Sequence, residues 1–273
     1  MTAPDANAVE VVAPGAVRVR AANPGPMTLD GTNTWIVHAP GADAAVVVDP
    51  GPADPDHHRR VREELDRSGV AVELVLLTHG HLDHSEGAEE FARAADAPLR
   101  AAEARWSTAR TLQPDETIDV AGLAVEVLAT PGHTSDSVTF AVGPYLLTGD
   151  TVLGRGTTVV AHPDGRLDDY LTSLALLHRR AATGAVSHLL PGHGPVVSDP
   201  TGWLDFYLGH RRERLAAVAA AVRDLDAPLT GTDTDLTDTV DAVVSLVYAD
   251  VPRHLWPAAA LSVRAQLIYL QEH

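Results

Sequence analysis

The chain has 273 residues, a formal net charge of -17 and no cysteine. This length fits one large α/β domain with an appendage. The lack of cysteine excludes disulfide bonds and thiolate metal ligands, and the negative charge disfavours avid binding of polyanions unless a local basic patch reverses it. Residues 1–20 lack the apolar core of a signal peptide, and no run approaches the roughly 20 apolar residues of a membrane span. We therefore expect a cytoplasmic protein without a membrane segment.

Short apolar runs bounded by turn residues predict strands in the first two-thirds of the chain. They occupy residues 17–19, 35–37, 45–48, 72–77, 123–128, 138–142, 145–147 and 187–190. Helical periodicity predicts helices at residues 56–68, 85–95 and 170–180, and Asp168 and Asp169 are expected to cap the last of these. This alternation of strands and helices predicts an α/β fold.

After Pro200 the pattern becomes helical. The expected helices span residues 203–225, 236–249 and 255–270. A polar segment at residues 228–237 reads as a linker between the first two. We therefore expect an α/β catalytic domain at residues 1–202 and a helical C-terminal module at residues 203–273.

The densest group of potential metal ligands is the segment THGHLDH at residues 78–84. It directly follows an apolar run, so a rigid strand would present its side chains at one edge of a sheet. Alternating residues of one loop point to different sides. His79 and His81 are therefore expected to share one metal ion, while Asp83 and His84 face a second.

Three further candidate ligands each follow an apolar run: His133 in TPGH, Asp150 in LTGD and His193 in PGHG. His133 would complete the first site, His193 would complete the second, and Asp150 would bridge the two ions. The expected cofactor is a pair of divalent ions, with zinc as the first choice and manganese or iron as alternatives by ligand softness. An open position at each ion would leave room for water.

This ligand order, H-x-H-x-D-H followed by a distant His, an Asp and a final His, resembles the metallo-β-lactamase fold superfamily. The resemblance implies a four-layer αββα sandwich. Residues 23–35 and 208–214 resemble the amino-terminal signature and the HRxxR helix of the β-lactamase-like protein 2 branch. The C-terminal segment is similar to the winged-helix-like module of that branch. The ligand set also satisfies the pattern of glyoxalase II.

Two ions held in this way imply a dinuclear hydrolase. A hydroxide bridging the two ions is the expected nucleophile, because metal-bound water is acidified to a pKa of about 7. Asp83 is expected to ligate one ion and to orient this hydroxide, which gives it a catalytic role. No serine or cysteine nucleophile is then needed.

Five residues outside the ligand set are candidates for catalysis or substrate contact. His210 follows the last ligand loop and is a candidate catalytic residue, and Arg211 beside it is a candidate contact for substrate phosphates. Asn33, Thr157 and Thr158 are candidates for lining the mouth of the site. Each also has a structural alternative: a solvated helix face for the first two, a turn-stabilising amide for Asn33 and a plain loop for the threonines.

Members of the branch that the sequence resembles are described as metal-dependent hydrolases, some with single-stranded endoribonuclease activity and others with thioester or lactam side activities. We therefore expect a hydrolase of single-stranded RNA or of a small ester, thioester, lactone or β-lactam. A glyoxalase II-like thioesterase is an alternative, although the tail shows no clear basic pair for the carboxylates of glutathione. An iron-dependent, sulfur dioxygenase-like oxidoreductase is the non-hydrolytic alternative. The oligomeric state is left open by the sequence.

Overall fold

The computed structural model describes residues 9–226 and 236–273. Its strands are β1 (Val9–Ala13), β2 (Ala16–Arg20), β3 (Asn33–Val37), β4 (Ala44–Val48), β5 (Ala71–Leu76), β6 (Leu99–Arg100), β7 (Thr117–Val120), β8 (Leu123–Ala129), β9 (Val138–Val142), β10 (Tyr145–Gly149) and β11 (His188–Pro191). Its α-helices are α1 (Pro55–Ser68), α2 (Leu82–Ser85), α3 (Ala88–Ala94), α4 (Leu167–Ala181), α5 (Pro200–Asp224), α6 (Thr237–Val247) and α7 (Trp256–Glu272). Residues 228–235 of the predicted linker lie outside the described residues.

The strands form two mixed sheets. Their strand orders are β1-β2-β3-β4-β5-β6 and β11-β10-β9-β8-β7. Strands β4 and β5 pair in parallel, as do β5 and β6, and β10 and β11. Parallel neighbours need a crossover connection, and the three connections contain α1, α2 with α3, and α4 respectively. The carboxyl ends of both strands in each parallel pair therefore meet at one edge of their sheet.

Side chains of β3 show why the sheets stack as layers. Successive side chains of a strand point to opposite faces. Trp35 packs between the two sheets with Phe140 of β9, whereas Ile36 packs outward in the core that also contains α1 and α3 residues. On the other sheet, Leu146 packs outward with Tyr170 of α4. The layer order helix, sheet, sheet, helix confirms the expected αββα sandwich.

Helix α4 begins at Leu167 rather than at Tyr170, so its predicted capping is wrong. Asp168 and Asp169 lie within the first turn, not before it. Their carboxylates instead lie 3.0 and 3.7 Å from guanidinium nitrogens of Arg166. In the first turn, their negative charges still interact favourably with the positive end of the helix dipole.

Helix α5 belongs to two cores. Leu204 and Tyr207 in its first half pack in the core that contains α4, whereas Val218 and Val222 pack with residues of α6 and α7. The expected domain boundary after residue 202 falls inside this helix. Because the helix packs in both cores, the division at this residue stays a prediction. Among the described residues, none of the helices has the length and apolar character needed to cross a membrane.

Candidate metal centre

The predicted ligand residues converge at one end of the sandwich. The loop after β5 carries His79, His81, Asp83 and His84, and His133, Asp150 and His193 follow β8, β10 and β11. These positions all lie at carboxyl ends of strands, so rigid backbone supports each ligand from one side. The two sheets together supply the complete set that the sequence predicted.

The ligand atoms fall into groups in which all atoms lie within 4.8 Å of one another. The first, which we name the three-histidine group, is His79, His81 and His133, and the second, the Asp83 group, is Asp83, His84 and His193. A third set, His79, His84 and Asp150, shares one histidine with each of these groups, so Asp150 lies between them. Its Oδ2 is 3.8 Å from Nε2 of His133 and 3.3 Å from Nε2 of His193. One carboxylate therefore reaches both groups.

Hydrogen bonds on the outer side fix which nitrogen of an imidazole faces the cluster. Nδ1 of His84 donates to Oδ2 of Asp49 at 2.9 Å, and Nδ1 of His133 donates to the Val159 carbonyl oxygen at 2.8 Å. Nδ1 of His193 lies 3.3 Å from a backbone carbonyl oxygen of the loop before β3. In all three rings Nε2 is left to face the cluster, as in histidine ligands of metal sites.

The donor set fits divalent metal ions. Nε2 of His79 and Nε2 of His133 each lie 3.0 Å from Nδ1 of His81. Ring nitrogens this close need a proton or a cation between them. Oδ1 of Asp150 is buried and makes no hydrogen bond among the described residues; the nearby Nε2 of His84 lies 3.5 Å away. A metal cation between these atoms would satisfy the buried oxygen. Imidazoles and carboxylates without thiolates suit zinc, manganese or iron.

Asp49 supports the cluster from behind, and the sequence analysis missed it. Its carboxylate accepts hydrogen bonds from the Thr78 backbone nitrogen at 2.8 Å, from Thr78 Oγ1 at 2.7 Å and from Nδ1 of His84 at 2.9 Å. It lies just after β4 with a φ of 53°, a conformation that Asp tolerates better than most residues. The available signal was a carboxylate directly after a strand. Because Pro50 and Gly51 follow, it reads equally well as a turn residue.

The segment before β3 orients Asp83. Thr32 Oγ1 donates to Oδ2 of Asp83 at 3.0 Å. Asn23 fixes Thr32 in turn, since its Nδ2 donates to Thr32 Oγ1 at 3.0 Å and its Oδ1 accepts from the Thr32 backbone nitrogen at 2.9 Å. This chain of contacts gives the signature at residues 23–35 a physical role at the site.

Asn33 lies behind the last ligand loop. Its side chain is fully buried, and Nδ2 donates to the carbonyl oxygens of Pro191 and Gly194, both at 2.9 Å. These contacts hold the turn that carries His193. They favour the structural alternative for Asn33 over the expected contact with substrate.

The two ligand groups differ in charge. Burial lowers the pKa of His79 well below its usual value and also lowers that of His133. Burial acts in the same direction on His84, but nearby carboxylates, chiefly those of Asp83 and Asp150, outweigh it and raise its pKa to about 9. The same two carboxylates raise the pKa of the other histidine of the Asp83 group well above its usual value. Against their burial, both carboxylates keep a pKa well below the usual range.

A cleft opens beside the cluster. Its lining includes two predicted ligands, His133 and Asp150. The other lining residues are Pro26, Met27, Leu29, Leu153, Arg155, Gly156, Thr157, Thr158 and Val159. The structure thus places both predicted threonines at the cleft. Thr158 itself is buried, and its Oγ1 donates to the Asp150 carbonyl oxygen at 2.8 Å.

His210 and Arg211 lie on α5 and do not belong to the described lining of the cleft. The ring of His210 lies 6.1 Å from that of Phe206, measured between centroids. Arg211 is only 7% exposed, and its Nη2 donates to the Thr158 carbonyl oxygen. The catalytic role expected for His210 and the substrate contact expected for Arg211 gain no support from these positions, because neither residue lines the cleft and Arg211 bonds a backbone carbonyl instead.

Comparisons with known proteins agree with this geometry. Residues 27–249 match the metallo-beta-lactamase superfamily, and residues 239–273 match the beta-lactamase associated winged helix domain. The beta-lactamase-like protein 2 homolog of Drosophila melanogaster is 29% identical, over 94% of this chain and 87% of that protein. The atrochrysone carboxyl ACP thioesterase of Aspergillus fumigatus is 32% identical, over 81% of this chain and 69% of that protein.

The comparison with solved structures gives the same fold. The crystal structure of a metallo-beta-lactamase family protein from Thermus thermophilus superimposes with a TM-score of 0.73 at 21% identity, covering 96% of this chain and 95% of that one. The resemblance drawn from the ligand order and the expected winged-helix-like module are both confirmed. The chain belongs to the metallo-beta-lactamase superfamily of hydrolases.

Proposed function

We propose that this hydrolase binds two divalent metal ions, zinc in the first place, and cleaves small acyl thioesters. The observation that carries the proposal is the cleft that ends at His133 and Asp150. Its walls include Met27, Leu29 and Leu153, which suit an acyl chain. The thioester carbonyl would then lie against the ligand cluster. The proposed pair of ions rests on two ligand groups joined by one carboxylate.

The polar groups of the cleft favour a thioester over an oxygen ester, an amide or a lactam. Among the described lining residues, the polar side chains are those of two ligands, two threonines and Arg155. None of these is a free general acid. A thiol has a pKa of about 8.5, so a thiolate can leave without a proton, whereas an alkoxide or an amine leaves better with a proton donor.

The same cleft gives little support to RNA as substrate. Arg155 is the one cation in its described lining, and Nη1 and Nη2 of this side chain each lie 3.0 Å from a carboxylate oxygen of Asp30. A polynucleotide is held by several cations along its path. The net charge of -17 also opposes binding of a polyanion. We therefore do not propose endoribonuclease activity, and the substrate experiment below includes single-stranded RNA to test it.

Each group of the cluster has a part in the proposed reaction. When bound, the two ions would supply an acidified water and polarise the thioester carbonyl. Asp83 is 27% exposed and is oriented by Thr32, so its carboxylate can accept a hydrogen bond from the attacking water. Asp150 would hold the two ligand groups at a fixed separation, because its carboxylate reaches both. The similar chain named as an acyl carrier protein thioesterase supports thioester chemistry at such a site.

The proposal is tested with metal-loaded protein and matched pairs of substrates. Each pair is an acyl-N-acetylcysteamine thioester and the oxygen ester with the same acyl chain. We expect kcat/KM to be higher for the thioester by roughly 10²-fold, the usual contribution of a missing general acid. Cleavage of single-stranded RNA without thioester turnover would overturn the proposal.

The acyl-chain assignment is tested with a pair of equally exposed apolar residues. Met27 at the cleft is 52% exposed, and Leu246 on α6 is 54% exposed. Met27→Glu should raise KM for long acyl chains more than for acetyl, and Leu246→Glu should change neither. A preference for S-lactoylglutathione over long acyl chains would favour the glyoxalase II alternative. Oxygen consumption with a persulfide on iron-loaded protein would favour the oxidoreductase.

A further inference from the structure

We infer that Arg211, on the helix that leads into the C-terminal module, is a positioning residue for the side of the metal centre formed by His133 and Asp150. The inference rests on the metal-binding part of the proposed function. Arg211 acts through Thr158 and Val159, whose backbone and side-chain atoms contact both ligand residues. It touches neither the cleft nor the ligand atoms.

Arg211 is held on two sides. Nη2 donates to the Thr158 carbonyl oxygen, and the guanidinium carbon lies 4.8 Å from the centroid of the Tyr170 ring. Both partners are buried, so the guanidinium has little access to water. A cation over an aromatic ring is attracted more strongly where water is excluded. The contact therefore fixes the position of the Thr158 carbonyl relative to α5.

The segment that Arg211 holds is bonded to two predicted ligands. Thr158 Oγ1 donates to the Asp150 carbonyl oxygen at 2.8 Å. The next carbonyl, that of Val159, accepts from Nδ1 of His133 at 2.8 Å. This second bond sets the ring orientation of His133, since Nε2 must then face the cluster. A shift of this segment would move both ligand residues together.

Tyr170 extends the same support to the neighbouring turns. Its hydroxyl donates at 2.7 Å to the carbonyl oxygen of Thr151, the residue that directly follows Asp150. Gly132, which precedes His133, lies so close to the Tyr170 backbone that a Cβ would collide with it. Arg211 therefore rests on a residue whose side chain bonds the turn of Asp150 and whose backbone lies close to the turn of His133.

Arg214 provides a matched control on the same helix. Its guanidinium carbon lies 5.3 Å from the centroid of the Tyr248 ring, and Nη1 lies 3.4 Å from the Val247 carbonyl oxygen. The chemistry is that of Arg211, an arginine over a tyrosine with a backbone carbonyl as acceptor. The partners, however, lie at the end of α6, not beside the metal centre. Any general effect of removing a stacked arginine from α5 should appear in both variants.

The experiment measures metal binding directly. Metal-free wild type, Arg211→Ala, Arg211→Lys and Arg214→Ala are titrated with Zn²⁺ against a chromophoric chelator. Absorption spectra of the Co²⁺-loaded proteins report the ligand geometry. We expect Arg211→Ala to weaken binding by about 10-fold and to change the Co²⁺ spectrum, which is the lower end of the effect of losing a direct outer partner of a ligand, because Arg211 acts through Thr158 and Val159. Arg214→Ala should stay within about twofold of wild type with an unchanged spectrum.

Arg211→Lys keeps the charge and a donor but loses the flat stacking surface, so we expect its zinc affinity to lie between those of wild type and Arg211→Ala. If Arg211→Ala does not fold, the zinc affinity and Co²⁺ spectrum of this milder variant, compared with those of wild type, test the inference. Equal zinc affinity and equal spectra in wild type and both Arg211 variants would overturn the inference alone. Equal weakening by Arg211→Ala and Arg214→Ala would overturn it as well. A wild-type protein that binds no zinc would instead remove the proposed function on which the inference rests.

Discussion

The two ligand groups are built from similar residues but have opposite electrostatics. In the three-histidine group, burial lowers the pKa of His79 and His133, so both rings are neutral ligands before a metal arrives. In the Asp83 group, carboxylates raise the pKa of His84 to about 9 and that of His193 well above its usual value. The first group can accept a cation directly. The second must release protons before it can do so.

The position of Asp49 accounts for part of this difference. Its carboxylate lies 2.9 Å from Nδ1 of His84, whereas the outer partner of His133 is the neutral Val159 carbonyl. A carboxylate partner stabilises a protonated imidazole more strongly than a carbonyl does. The same outer contact that orients His84 as a ligand thus also holds a proton on it when no metal is bound.

The largest effect is expected where the two groups meet. Asp150→Ala removes the carboxylate that reaches both groups, so we expect both metal equivalents to bind more weakly and activity to fall by roughly 10²-fold or more. Elemental analysis of the purified variant, together with kcat/KM, measures both effects. A variant that keeps two metal equivalents under metal-replete conditions would show that the groups do not depend on Asp150.

A pair of variants tests whether the two groups act as separate sites. His81→Ala removes a ligand from the three-histidine group, and Asp83→Asn removes one from the Asp83 group. We expect each variant to lose one metal equivalent preferentially and to lose activity by roughly 10²-fold, because both groups act on the attacking water. Metal content and kcat are measured side by side. Normal activity in either variant would rule out the proposed dinuclear mechanism.

The pH dependence of metal binding should differ between the groups. The imidazoles of His84 and His193 are protonated at neutral pH in the metal-free protein because their pKa values are raised. Each proton released on binding makes the apparent affinity fall about tenfold per pH unit toward acid. Calorimetric titration in buffers of different ionisation enthalpy counts these protons. We expect more protons to be released when the Asp83 group binds its metal equivalent than when the three-histidine group binds its own. Equal release from both groups would contradict the comparison.

The candidate ligands could be predicted from the sequence, whereas the residues that support them could not. His79, Asp150 and His193 stand directly after apolar runs, and strand ends are a local signal. Asp49 also follows a strand, but the proline and glycine after it made the turn the simpler explanation. Arg211 lies in a helix with several charged residues, a pattern typical of a solvated face. Its burial depends on how α5 packs on α4, and that packing has no signature in a single sequence.

The last prediction, with the smallest effect, concerns stability without metal. The folded pKa of His84, about 9, lies above its ordinary value of 6.5. Its protonated ring therefore stabilises the metal-free protein fully below about pH 6.5, and this contribution is lost as the pH rises through 9. His57, whose pKa burial lowers to about 3, does not titrate in this range. The denaturant concentration at the unfolding midpoint of chelator-treated protein should thus fall as the pH is raised from about 7 to 9. The fall should be smaller in Asp49→Asn, which lacks the carboxylate at Nδ1. The metal-loaded protein should not lose stability over the same range, because bound metal requires the deprotonated ring. A midpoint that rises with pH in the metal-free wild type would show that the Asp83 group holds no proton and that the two groups are electrostatically alike.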